Sequence, residues 1–197
     1  MVDNYSLIII LFAILDDFFM RLNYISEDIS LLCGGFSDVF IDDSASTVDE
    51  INSHYKSEIV QLIDSNYVAG ILHLEMIGHQ IYESKKRNNS YSNNLELDIL
   101  LRIACDRRIS KAIEMVGLKK GVMNIATIGI GHYDKLNQLK THLETKWNCD
   151  DSVLELTPEK LNRLINLHNI PGWILNSSPD KMMASLLCEK AAMLGSE

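Results

Sequence analysis

Cysteine pairs are missing from this 197-residue chain. Cys33, Cys105, Cys149 and Cys188 are far apart in sequence, so neither a zinc-type pair nor a redox CxxC is present. Reduced thiols in a cytosolic protein are the plain reading, and a cytoplasmic location is expected. Proline and glycine are scarce, three and ten residues, which argues against a loop-dominated fold. Long apolar runs are missing too. The most apolar stretch, "YSLIIILFAIL" at residues 5–15, has eleven residues, whereas a membrane span needs about 20. Asp3 stands where a signal peptide would carry bases, and "DDFF" follows where small cleavage-site residues would be. Residues 1–19 therefore read either as a buried N-terminal helix or strand, or as an extension upstream of a start at Met20. Residues 20–197 read as one domain.

Positive charge is the other shortage. Lys and Arg number 18 against 27 Asp and Glu, a net charge of −9. That balance argues against broad nucleic-acid binding, but a local basic patch can still hold phosphates. The distribution is uneven. Residues 1–66 hold twelve acids and two bases, whereas residues 85–120 hold nine bases and four acids. The cations gather in "NNLELDILLRIACDRRISKAIEMVGLKKG" (93–121), which supplies Arg102, Arg107, Arg108, Lys111, Lys119 and Lys120.

Apolar residues make up 47% of the chain, enough for one domain with a sizeable core. "FSDVFID" (36–42), "YVAGIL" (67–72), "VMNIATIGI" (122–130) and "SVLEL" (152–156) read as strands. A helix is expected from the capping-box pair Thr47 and Glu50 onward, with Val48, Ile51, Tyr55, Ile59 and Leu62 on one face. Further helices are expected over 73–86, from Asn93–Asn94 onward, over 109–116 up to Gly117, and through Leu136, Leu139, Leu143 and Trp147. Thr157-Pro158-Glu159 and Ser178-Pro179-Asp180 each combine a cap, a first-turn proline and an acid, so each starts a helix. This alternation predicts an α/β fold, with α+β as its variant: one small mixed sheet covered by several helices.

Catalytic patterns are absent. Gly129 and Gly131 lie between a strand and a helix, but Asp134 occupies the place of the third glycine of a dinucleotide fingerprint. The pair reads as a tight turn, and a small nucleotide-binding enzyme using it is the alternative function. His73 and His79 lack HExxH spacing. Met182, Met183, Leu186, Leu187, Met193 and Leu194 fall on one helical stripe, which is either core or an adaptable interface.

At residues 93–121 the order Asn93, Asp98, "ILLR" ending at Arg102, Arg107, Ile109 and "KAIEMVGLKKG" resembles the signature of the kinase-binding subunit of the KEOPS complex, the TPRKB-like family. The surroundings agree: "VAGILHLEMIGHQI" precedes it and "DDSVLEL" follows. The resemblance covers residues 66–168 well, the C-terminal helix by position, residues 20–65 loosely and residues 1–19 not at all. It implies a small α/β protein without catalysis or cofactor. Such a subunit binds and stimulates the small atypical KEOPS kinase and meets the other subunits indirectly. It also helps to recruit tRNA through the single-stranded 3′ end, for threonylcarbamoyladenosine formation. On this resemblance the Met/Leu stripe is the expected kinase contact, and the six cations of the signature are the expected tRNA contacts. Asp98 and Arg102, four apart, are equally placed to pair along their helix. The family reads Ala-Ser-Gly after the arginine-bearing helix, where this chain has Ile103-Ala104-Cys105.

Overall fold

The computed structural model describes residues 20–172 and 178–195. Expectations for residues 1–19 lie outside it. Its strands are β1 (Arg21–Tyr24), β2 (Ser30–Ile41), β3 (Ile59–Asp64), β4 (Gly121–Gly131) and β5 (Asn148–Cys149). They form one sheet in the order β1-β2-β4-β3, with β5 beside β2. Successive side chains of a strand reach opposite faces. Leu31, Cys33, Ala126, Ile128 and Ile130 therefore enter one core, while Leu32, Phe36, Val60, Leu62 and Ile125 enter another. Strands buried on both faces show no polar alternation, which is why "SLLCGGF" and "IATIGI" are apolar except at Ser30 and Thr127, both buried.

Seven α-helices are present among the described residues: α1 (Ser44–His54), α2 (Ile71–Lys86), α3 (Leu95–Ala104), α4 (Ile109–Val116), α5 (Tyr133–Lys146), α6 (Pro158–His168) and α7 (Pro179–Ala192). Helices α2, α3, α4 and α7 cover the first face through Leu74, Ile77, Ile81, Ile99, Ile103, Val116 and Ala191. Helices α1 and α5 cover the second through Ile51, Leu136, Leu139 and Leu143. The single α/β domain with a helix-covered sheet is thus as expected. Every strand ladder is antiparallel, however. The tight turn at Ile25–Ile29 makes β1–β2 a hairpin, and β4 runs against both neighbours.

A bulge interrupts β2. Its register against β4 shifts between Phe36 and Val39, and Asp38 takes a left-handed φ of 53° while its N–H bonds Asn124 Oδ1 at 3.0 Å. Because β3 pairs only with Ile125–Ile130, the segment beyond the bulge is a two-stranded ribbon of Val39–Ile41 and Gly121–Met123. Phe40 and Val122 face each other there and are exposed.

Several local expectations need correction. The helix expected to run to Leu62 stops at His54, and Ile59 and Leu62 belong to β3. It also starts earlier, with Asp43 as its cap: Asp43 Oδ2 accepts from Ser46 N at 2.8 Å. "YVAGIL" is no strand. Ser65–Tyr67 is a 3-10 turn, and Gly70, at φ 84°, opens α2 at Ile71. "SVLEL" is largely a 3-10 turn, Asp151–Leu154, started by Asp150 accepting from Ser152 N at 3.0 Å.

A third core joins α6 and α7 through Ala69, Leu164, Ile170, Met183 and Leu187. Two buried histidines, His73 and His168, have no partner at Nε2; Ala69 N–H donates to His73 Nδ1 at 3.2 Å. Burial pushes His73 down to about 3 and His168 to about 4, with the neighbouring His168 and Lys190 respectively adding to the shift. Both imidazoles are neutral when folded, but they protonate near 6.5 when unfolded. The unfolded chain therefore binds more protons in this window. Stability is full above pH 6.5 and is lost as pH falls toward 4, by at most roughly 3 kcal/mol per pH unit for the two groups together. Urea unfolding at pH 7, 6 and 5 checks this; midpoints that do not fall would contradict it.

Candidate partner-binding surfaces

Helix α3 begins at Asn94, whose Oδ1 accepts from Leu97 N at 2.8 Å. From Asp98 to Ala104 every residue of α3 is buried. The helix ends on Cys105 in the left-handed conformation, φ 48° and ψ 39°. That conformation favours glycine, the residue of the resembled family at this place. The Cys105 thiol lies 3.5 Å from the Leu187 carbonyl of α7, so the side chain joins two helices. Burial pushes the Cys105 and Cys188 thiols up to about 12, which keeps both protonated.

The six signature cations do not form one open patch. Arg102 is buried, its Nε donating to Asp98 Oδ1 at 3.0 Å and its Nη1 to Gln80 Oε1 at 3.1 Å. Its guanidinium lies 4.4 Å from the Tyr91 ring centre. Burial raises the pKa of Asp98, against the pull of Arg102 and the Tyr91 amide. Arg108 grips Asp106 with Nε at 3.0 Å and Nη2 at 2.8 Å, and Lys111 reaches the same carboxylate at 2.8 Å. These bonds, Arg108 first, hold the Asp106 carboxyl well below the usual aspartate range. Lys119 pairs with Asp64 at 3.4 Å and Lys120 with Asp42 at 2.9 Å. Carboxylates of the acidic N-terminal third thus answer two of these cations. Arg107 is exposed.

Tyr91 connects two depressions. One, about 500 Å³, is lined by Gln80, Arg87, Asn89, Tyr91, Arg102 and Ala192. The other, about 330 Å³, is lined by Ser90, Tyr91, Leu101, Arg107 and Leu194. Arg102 stacks on the Tyr91 ring, while Arg87, paired with Glu83 at 2.8 Å, and Arg107 line the two depressions on either side of it, beside the end of α7. The Tyr91 hydroxyl donates to the carbonyls of Ala191 and Ala192 at 3.1 and 2.8 Å, and its N–H donates to Asp98 Oδ2 at 3.0 Å. Arg87 and Tyr91 did not stand out in the sequence; an aromatic inside the polar run "KKRNNSYSNN" was their one signal.

The terminal stripe divides in two. Met183 and Leu187 are fully buried in the third core. Met182 and Leu186 are half-buried along its edge, Leu194 is half-buried, and Met193 is 63% exposed. A folded domain presents only Met182, Leu186, Met193 and Leu194 of this stripe to a partner.

Gly129 and Gly131 are not a tight turn but the last ladder residues of β4, paired with Leu32 and Ser30, and they leave no room for a phosphate. Leu136 and Leu32 crowd Gly129, and the Glu58 carboxylate sits against Gly131, accepting from His132 N at 2.7 Å. A fixed carboxylate where an anion would bind removes the physical basis of the nucleotide reading. Among the described residues no helix is long and apolar enough to cross a membrane.

No curated protein matches the chain. A family model, described as kinase binding protein CGI-121, matches residues 36–172, which takes in β3, β4, β5 and the arginine-bearing segment and leaves β1, the start of β2 and α7 outside. This chain belongs to the CGI-121 kinase-binding family, in keeping with the TPRKB-like resemblance of its signature.

Proposed function

We propose that this chain is a non-catalytic, cytoplasmic subunit of the KEOPS tRNA-modification complex. It binds and stimulates the small atypical kinase and helps to recruit tRNA by its 3′ end for threonylcarbamoyladenosine formation. Membership of a kinase-binding family carries the first half of this reading. The kinase surface we assign is the outward part of the terminal stripe: Met182, Leu186, Met193 and Leu194. Methionine adapts to irregular partner surfaces. Met193→Glu is expected to weaken capture of the KEOPS kinase at least ten-fold with no change in the urea midpoint. Undiminished capture by this variant and by Leu186→Glu would remove the kinase contact from α7.

The tRNA half rests on Arg87, Arg102 and Arg107 around Tyr91, with Arg108, Lys111, Lys119 and Lys120 outside that ring. Arginine planes and aromatic rings suit unpaired bases, and cations suit their phosphates. Arg107→Glu with Arg108→Glu is expected to weaken tRNA binding. The variant should also flatten the salt dependence, by roughly one unit of slope per lost phosphate contact. Kinase binding should survive. Trimming the tRNA 3′ end should weaken the unmutated protein similarly and add nothing in the variant. Normal tRNA binding by the variant would end this part of the reading.

A further inference from the structure

Among the described residues, no three histidine, cysteine or carboxylate side chains converge as a closed metal centre. Two histidines do meet across the second face of the fold. His54 ends α1 and His142 lies on α5, with ring centres 6.0 Å apart and ring planes at 60°. Each ring has its Nδ1 engaged. His54 Nδ1 lies 3.1 Å from the Glu50 carbonyl oxygen. A carbonyl only accepts, so Nδ1 carries the proton and Nε2 keeps its lone pair. His142 Nδ1 lies 3.3 Å from the Tyr55 hydroxyl. The tautomer that donates to Tyr55 again leaves Nε2 with a lone pair. Metal-ligating histidines have this arrangement, with the second nitrogen fixed by a carbonyl or another oxygen.

Glu50 lies within electrostatic reach of both imidazoles, but its carboxylate is bonded to the Lys146 ammonium at 2.6 Å, so the surroundings are close to neutral toward a cation. Two imidazoles sharing one ion at Zn–N distances of ~2.0–2.1 Å have ring centres about 5–6 Å apart, close to the separation here. We propose that His54 and His142 form an open two-histidine site for a divalent late transition-metal ion, Zn²⁺ or Ni²⁺, with water in the remaining positions. Imidazole suits these ions, whereas calcium and magnesium require oxygen ligands. The ion would tie the end of α1 to α5 independently of any kinase or tRNA contact.

The test uses the full untagged chain, freed of metal by a chelator. Calorimetric titration with ZnCl₂ is expected to show one ion per chain and a raised melting temperature, because the site exists only when α1 and α5 are docked. Affinity should fall at least ten-fold in His54→Ala and in His142→Ala, while His79→Ala, also at the surface, binds normally. His142→Gln serves if His142→Ala unfolds without metal. Added NiCl₂ should broaden NMR signals around the end of α1 and the facing turn of α5. No binding at millimolar ZnCl₂, unchanged affinity in both histidine variants, or broadening centred elsewhere, such as at Cys149, would each overturn the proposal.

Discussion

Arg102→Met is expected to lower the stability of the domain by about 3–5 kcal/mol, because it leaves a buried carboxylate without its counter-charge. Asp98 is fully buried, and its Oδ1 loses the Arg102 guanidinium. The sign of the pH dependence follows. An unpaired, buried Asp98 has its pKa raised above the unfolded value of about 3.9. The unfolded chain then binds fewer protons, and stability falls as pH rises above that value. Urea midpoints of the variant should therefore drop further at pH 8 than at pH 5. Adding Asp98→Asn removes the stranded charge and should recover a large part of the loss. The damage should also spread. Arg102 lies against Tyr91, which holds the last carbonyls of α7, so hydrogen exchange should quicken at the end of α7. A variant as stable as the original chain would mean that water reaches Asp98.

Leu187→Glu should abolish the folded state or lower stability by about 4 kcal/mol or more, since a carboxylate enters a closed apolar core. Leu187 is fully buried among Leu164, Ile170 and Met183. Its neighbour Leu186 is half-exposed, and glutamate there should be tolerated far better. The two variants differ by one position and by about 100° of helix rotation, so paired circular-dichroism melts separate core from interface directly. Loss of kinase capture by Leu187→Glu would then report unfolding, and only the outward positions report contact. A native-like melt for Leu187→Glu would show that α7 turns the other way.

Much of this was legible in the sequence, and the exceptions share causes. The helix-to-strand passage at 55–59 was hidden because Ile59 and Leu62 continue the three-and-four spacing of α1 by coincidence, while β3, buried on both faces, has no alternation to betray it. "YVAGIL" failed for a related reason: six apolar residues fit a strand or the start of a buried helix equally well. The deciding feature was the positive φ of Gly70. The basic segment was visible as composition, but its neutralisation was not, because Asp42 and Asp64 come from 78 and 55 residues away. The Met/Leu stripe was legible only in part: Met182, Met183, Leu186 and Leu187 lie on α7, whereas Met193 and Leu194 fall on the 3-10 turn Met193–Gly195 after it. Which of its two edges faces inward depends on α6, which periodicity within one helix does not encode. Asp98 and Arg102 were the reverse case, since spacing of four suffices to pair them.

The ribbon beyond the Asp38 bulge has a consequence for self-association. Past Ser37, β2 has β4 as its sole ladder partner among the described residues, and Gly121–Met123 lie beyond the reach of β3. Unpaired strand edges beside exposed Phe40 and Val122 would ordinarily recruit a second chain. Here Asp38 and Asp43 are exposed around the ribbon, Asp42 being paired with Lys120, and the left-handed turn at Asp38 bends its edge. Two copies joined through this edge would crowd these carboxylates together, so the molecule repels its own image where its backbone is most open.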